Sequence, residues 1–141
     1  MAGKTIPTLF VCCIEYKALN IYLASTAKGA VKICMRMGDA EDPVSFFSPI
    51  MPGTALLHSI KHNSALIQAT RSALEGKTFS LDTPIDVKLT PFQQKVYETI
   101  SRIPYGKTRT YGQVAKEMGQ PNAARAVGQA MRANPLPIIF P

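Results

Sequence analysis

The sequence contains no apolar run approaching the roughly 18 residues of a transmembrane helix, so no such span is expected. Cysteine is scarce. Cys12, Cys13 and Cys34 are an odd set with no C-x-x-C pair, which excludes a disulfide framework and suits a reducing compartment. The expected location is the cytoplasm, or the nucleus in a eukaryote. The only histidines, His58 and His62, stand four apart, as on one helix face. They lack the glutamate of an H-E-x-x-H pattern and a third ligand, so a surface or packing role is expected and no metal. The N-terminal apolar patch Leu9–Ile14 is soon interrupted by Glu15 and Lys17 and has no convincing cleavage site, which argues against a secretory signal. No internal repeat or low-complexity tract is present.

Acidic residues are few, 9 against 16 Lys and Arg, for a net charge of +7. The imbalance is local. Residues 89–141 carry 7 basic and 2 acidic groups, whereas residues 1–88 carry 9 and 7. A concentrated positive surface favours a polyanion such as nucleic acid. With 141 residues, 46% of them apolar, the chain has the material for one domain or two small ones.

The last third, LTPFQQKVYETISRIPYGKTRTYGQVAKEMGQPNAARAVGQAMRANPLPIIFP, carries the clearest local signals. Thr90, Pro91 and Gln93 form a capping box with proline at the first helical position. Thr110 and Gln113 repeat the box, and Pro104-Tyr105-Gly106-Lys107 between them reads as a turn. The signals predict helices at about 91–102, 111–118 and 121–132, with Gly119 stopping the second, Pro121 opening the third and Asn134-Pro135 ending it. Two short helices about a tight turn make a helix-turn-helix candidate.

The first part reads differently. Residues 6–14, 19–24 and 30–35 suit strands of a small antiparallel sheet. Residues 38–48 read as irregular. Leu56, Leu57, Ile60, Leu66, Ile67, Thr70 and Leu74 fit one or two amphipathic helices, ended by Gly76. Residues 79–87 look extended. Cys12 and Cys13 point to opposite faces of a strand, and all three cysteines read as structural, Cys34 as buried.

The strings PFQQKVYETISRIPYGKTRTYGQVA and GQPNAARAVGQAMRANPLPIIFP resemble the DNA-binding domain of the O6-alkylguanine-DNA alkyltransferases, the methylated-DNA–protein-cysteine methyltransferases. The likeness covers about 50 residues almost without a gap. It is weaker upstream, where it rests on the S-x-x-K-G turn at Ser25–Gly29 and on EGKTFSLDTPIDVKLTPFQ. It implies an α+β protein with an N-terminal sheet-plus-helix domain of ribonuclease H-like type at 1–88. A winged helix-turn-helix-like DNA-binding domain follows at 89–141, with its C-terminal part missing. It also implies a monomer that needs no cofactor and binds double-stranded DNA containing O6-alkylguanine, with no membrane role.

The resemblance assigns roles to particular residues. Arg125, the one long side chain inside a run of Ala123, Ala124 and Gly128, is expected to fill the place of an extruded base. Its alternative is a solvated arginine. Tyr111 is expected to contact a backbone phosphate and to donate to the guanine ring, or else to be a core tyrosine. Lys107 and Arg109 are phosphate contacts or solubilising charges. Asn134 bridges backbone turns beside the reactive cysteine, or simply ends a helix.

In the family, the run beginning Asn134-Pro135 leads directly into a Cys-His-Arg triplet. The cysteine takes the alkyl group irreversibly, the histidine lowers its pKa, and a later glutamate orients the histidine. The nucleophile is therefore expected directly after Pro141, and residues 1–141 alone are expected to be inactive. Three readings of that boundary compete: a truncated or pseudogene product, a UGA codon translated as selenocysteine, and a non-catalytic lesion-binding alkyltransferase-like protein, a class that continues past the replaced cysteine and so does not account for the boundary. A helix-turn-helix transcription regulator is the alternative from another class.

Overall fold

The computed structural model describes residues 6–77 and 84–140. The chain divides into two compact units, Met1–Val87 and Lys88–Pro141. The mixed α+β class expected from the sequence is the class observed.

The first unit is built on four strands: β1 (Thr8–Tyr16), β2 (Leu19–Ser25), β3 (Ala30–Met37) and β4 (Ala55–His58). Their order in the sheet is β3-β2-β1-β4. β2 pairs antiparallel with both β1 and β3, as expected for short β-branched and aromatic segments joined by tight turns. β4 pairs parallel with β1, from Thr8↔Ala55 to Val11↔His58, so the sheet is mixed. This corrects the helix expected from Leu56 onward. The two leucines satisfy either period, and the backbone partners offered by β1 decide for a strand. His58 thus lies on β4 and His62 in the 3-10 turn Lys61–Asn63, not on one helix face. The helix α2 begins only at Ser64 and runs to Leu74.

A second correction concerns residues 38–48. They contain a short helix, α1 (Pro43–Phe47). Asp42 caps it by accepting from the Ser45 N–H at 3.0 Å, and Pro43 takes the first helical position. The helix delivers Phe46 and Phe47 to the core with Leu9, Val11, Tyr22 and Ala24. The Phe46 ring stacks on Tyr22 at 3.8 Å. Cys12, Ile21 and Leu23, on the opposite strand face, are also buried, so both faces of the sheet are covered at β1 and β2. Cys34 is only half-buried, contrary to expectation: it lies on edge strand β3, whose last three residues, Met35, Arg36 and Met37, are exposed.

Two ties complete this unit. α2 is held to β1 at both ends: Asn63 Nδ2 donates to the Phe10 carbonyl at 3.0 Å, and the Tyr16 hydroxyl to the Leu74 carbonyl at 3.4 Å. The turn of the S-x-x-K-G string meets residues 84–86. Ala30 N–H donates to the Pro84 carbonyl at 2.8 Å, and Asp86 N–H to the Ala30 carbonyl at 2.9 Å. Gly29 permits this approach, because a Cβ there would run into the Pro84 carbonyl and lie 2.8 Å from the Ile85 nitrogen. Part of the stretch expected to be extended, residues 79–83, lies outside the described residues.

The second unit holds α3 (Pro91–Ser101), α4 (Tyr111–Glu117) and α5 (Ala124–Arg132). Both capping boxes form. Thr90 and Gln93 exchange bonds of 3.0 and 3.1 Å, and Thr110 and Gln113 bonds of 2.8 and 3.0 Å. The Lys107 N–H closes the turn onto the Pro104 carbonyl at 3.0 Å, with Gly106 at φ 81°. α4 ends in a Schellman arrangement around Gly119, whose φ is 75°. The third helix begins later than expected. Pro121 and Asn122 form a turn closed by the Ala123 N–H on the Gln120 carbonyl at 2.9 Å, so proline opens a turn and not the helix. Val96, Tyr97, Ile100, Val114, Ala115, Val127, Leu136 and Ile139 are buried in this unit.

Candidate nucleic-acid interface

α5 is strongly two-sided. Val127 and Ala130 are buried, while Arg125, Gln129 and Arg132 are exposed. Ala123, Ala124 and Gly128 are half-buried beside Arg125, so the surface around it is low and carries little side-chain bulk. The inward side is anchored by Tyr97, which is 1% exposed and donates its hydroxyl hydrogen to the Ala130 carbonyl at 2.7 Å.

The structure brings Tyr111 to this helix. Tyr111 is the first residue of α4 and is 53% exposed, which corrects the core reading. The edge of its ring lies over Gly128: a Cβ at that glycine would sit 3.0 Å from Cε2 and 3.1 Å from Cδ2. Arg125, Gly128 and Tyr111 therefore belong to one surface of the second unit.

Lys107 is exposed, and neither it nor Arg125 has an ion-pair partner among the described residues. Arg109 is already engaged. Its Nε donates to Glu117 Oε1 at 3.2 Å, and Nη1 donates to the Thr108 carbonyl at 3.0 Å. A phosphate would have to compete with Glu117 for it. That pair spans eight residues and was not read from the sequence. Tyr105, in the turn between Pro104 and Gly106, is 79% exposed.

After α5 the chain closes into a small clasp. Asn134 Oδ1 accepts from the Leu136 N–H at 3.0 Å, and Nδ2 donates to the Phe140 carbonyl at 2.7 Å. The bridging of backbone turns read from Asn134 is thus present. The Phe140 ring stacks on Tyr97 at 5.0 Å, which fixes the far end of the clasp. Inside it, Ile138 holds φ 81°, a left-handed conformation that strains a β-branched residue by about 1–3 kcal/mol. The ring of bonds around it maintains that geometry.

The three thiols all belong to the first unit. Burial, with help from neighbouring Cys13, pushes Cys12 up to about 11. Burial also raises Cys13 and Cys34. None is a ready thiolate at neutral pH. His62 stacks on Phe10 at 3.6 Å and meets the Ser59 hydroxyl at 2.8 Å through Nδ1, a packing role. The described residues hold no cluster of three metal-ligating side chains.

Residues 91–141 match the family described as 6-O-methylguanine DNA methyltransferase, DNA binding domain. The likeness extends through the first unit. The inducible methylated-DNA–protein-cysteine methyltransferase of Bacillus subtilis is 33% identical over 135 residues, 96% of this chain and 75% of that protein. The chain belongs to the methylated-DNA–protein-cysteine methyltransferases. Membership places it among DNA-binding methyltransferases of DNA repair. The crystal structure of the Mycobacterium tuberculosis O6-methylguanine methyltransferase agrees, at TM-score 0.71 and 28% identity over 94% of this chain and 75% of that one. A structure of the mycobacterial protein in complex with DNA aligns at TM-score 0.66 and 27% identity, over 95% of this chain and 74% of that one. No helix among the described residues is long and apolar enough to cross a membrane.

Proposed function

We propose that the second unit, acting as a monomer, binds double-stranded DNA carrying O6-alkylguanine and extrudes the damaged base. In this reading α4 and α5 act as a helix-turn-helix, with α5 against the duplex. Arg125 enters the stack where the base has left, which offsets the lost stacking. Ala123, Ala124 and Gly128 let the helix come close. Tyr111 meets the backbone at the flipped nucleotide, and Lys107 contacts phosphate, with Arg109 joining once Glu117 is displaced. The observation that carries the reading is Arg125 itself, an exposed arginine without an ion-pair partner among the described residues, on a surface of small residues whose helix is anchored from behind by Val127, Ala130 and Tyr97.

The family reaction moves the O6-alkyl group to a cysteine thiolate in a single, irreversible transfer. In the family that thiol follows a run of the kind seen at Asn134–Pro141, and the reading is supported by the Asn134 clasp, which gives residues 134–140 a fixed shape. Cys12, Cys13 and Cys34 take no part in this reading, being in the first unit and raised by burial. A sequence-reading regulator is the weaker account, because the surface beside Arg125 is made of Ala123, Ala124 and Gly128, which offer no hydrogen-bonding side chain to base edges.

Fluorescence anisotropy with matched duplexes, one holding a single O6-methylguanine, tests the proposal at two salt concentrations. The expected result is tighter binding to the lesion at both, with affinity for each duplex falling as salt rises. Equal affinity for the two duplexes, or a sequence-specific footprint on undamaged DNA, would overturn it.

A further inference from the structure

Gly128 lies 17 positions after Tyr111 in the sequence, yet the two touch. A Cβ at 128 would approach Tyr111 to 3.0 Å at Cε2, 3.1 Å at Cδ2 and 3.9 Å at Cγ. The crowding is therefore along one ring edge. Which partner yields follows from how each is held. α5 is fixed by Val127 at 0% exposure, by Ala130 at 5% and by the Tyr97 hydroxyl on the Ala130 carbonyl. The Tyr111 backbone is fixed by the capping box of Thr110 and Gln113. Its ring, at 53% exposure, is the free member.

We infer that Gly128 is a positioning residue, the seat that sets where the Tyr111 ring stands on the DNA-facing surface. The inference rests on the role proposed above for Tyr111 and goes beyond it by assigning Gly128 a task within the protein. A glycine inside a helix is ordinarily a weak point, and alanine there strengthens the helix. Gly128 keeps that weakness and leaves room for the ring. Gly128→Ala has a double signature: a helix as stable as before or more so, and a Tyr111 ring turned outward.

Four versions of the 141-residue protein decide the matter: wild type, Gly128→Ala, Tyr111→Ala and the double variant. In free wild type, a nuclear Overhauser contact between the Tyr111 ring protons and the Gly128 Hα protons is expected, and its absence overturns the seat whatever the DNA results. Each single variant is expected to lower the preference for an O6-methylguanine duplex over an unmodified one by about tenfold, and the double variant by no more than that. Losses that multiply in the double variant would mean that Gly128 acts on the duplex directly and would overturn the inference. An unchanged preference in Gly128→Ala would do the same. A wild type without any lesion preference would contradict the proposed function instead, and the ring contact would then decide the seat by itself.

Discussion

The Tyr97 hydroxyl donates to the Ala130 carbonyl at 2.7 Å and thereby joins α3 to the last turn of α5. Carbonyls in a last turn run out of helical N–H partners, so the tyrosine both satisfies a buried acceptor and fixes the helix. The same ring stacks on Phe140 at 5.0 Å. One side chain thus supports the helix that bears Arg125 and the clasp that follows it. Tyr97→Phe retains the ring and leaves the carbonyl unsatisfied. The expected cost is about 1–2 kcal/mol. A lower urea midpoint with an unchanged slope would show it, and an unchanged midpoint would mean that the bond contributes nothing.

Alkaline pH acts on both units in the same direction. Burial raises the folded pKa of Cys12 from 9.0 to about 11, and burial also raises Tyr97 from 10.0. Each group stays neutral in the fold at a pH where the unfolded chain has ionised. The stability is whole below the unfolded values and falls as pH climbs through the folded ones. For Cys12 the loss is roughly 3 kcal/mol across pH 9 to 11. Melting curves should be flat from pH 7 to about 8.5 and decline above that. Cys12→Ala should flatten the first part of the decline, and a variant with the wild-type slope would contradict the assignment.

Gly29 meets the chain at Pro84 and Ile85 too closely for any side chain. Gly29→Ala should force residues 84–86 away from β3 and cost roughly 1–3 kcal/mol. Hydrogen exchange at the amides of Ala30 and Asp86, both bonded across this junction, reads it out. Faster exchange there is expected, and protection equal to wild type would show that the junction accommodates a methyl group.

The parts of the fold that were legible in the sequence are those fixed by neighbours in the chain. Thr90 with Gln93, Thr110 with Gln113, and Gly119 after α4 announce their caps within a few residues, and all three form. β1, β2 and β3 announced themselves by composition and turns. β4 did not, because Leu56 and Leu57 become a strand only through β1, more than forty residues earlier. α1 was overlooked although Asp42-Pro43 is a start signal, since five residues show no helical period. The Tyr111–Gly128 contact and the Arg109–Glu117 pair are products of tertiary packing. Spacing alone brings neither into view.

On the proposed reading Arg125 acts at the lesion and not merely on the phosphate backbone. Arg125→Ala, titrated at fixed salt against duplexes with and without one O6-methylguanine, tests it most directly. The account predicts a larger loss on the damaged duplex, so that the preference falls by about tenfold, while binding to undamaged DNA weakens only by the small amount of one lost charge. Equal losses on the two duplexes would make Arg125 a phosphate contact and contradict the account.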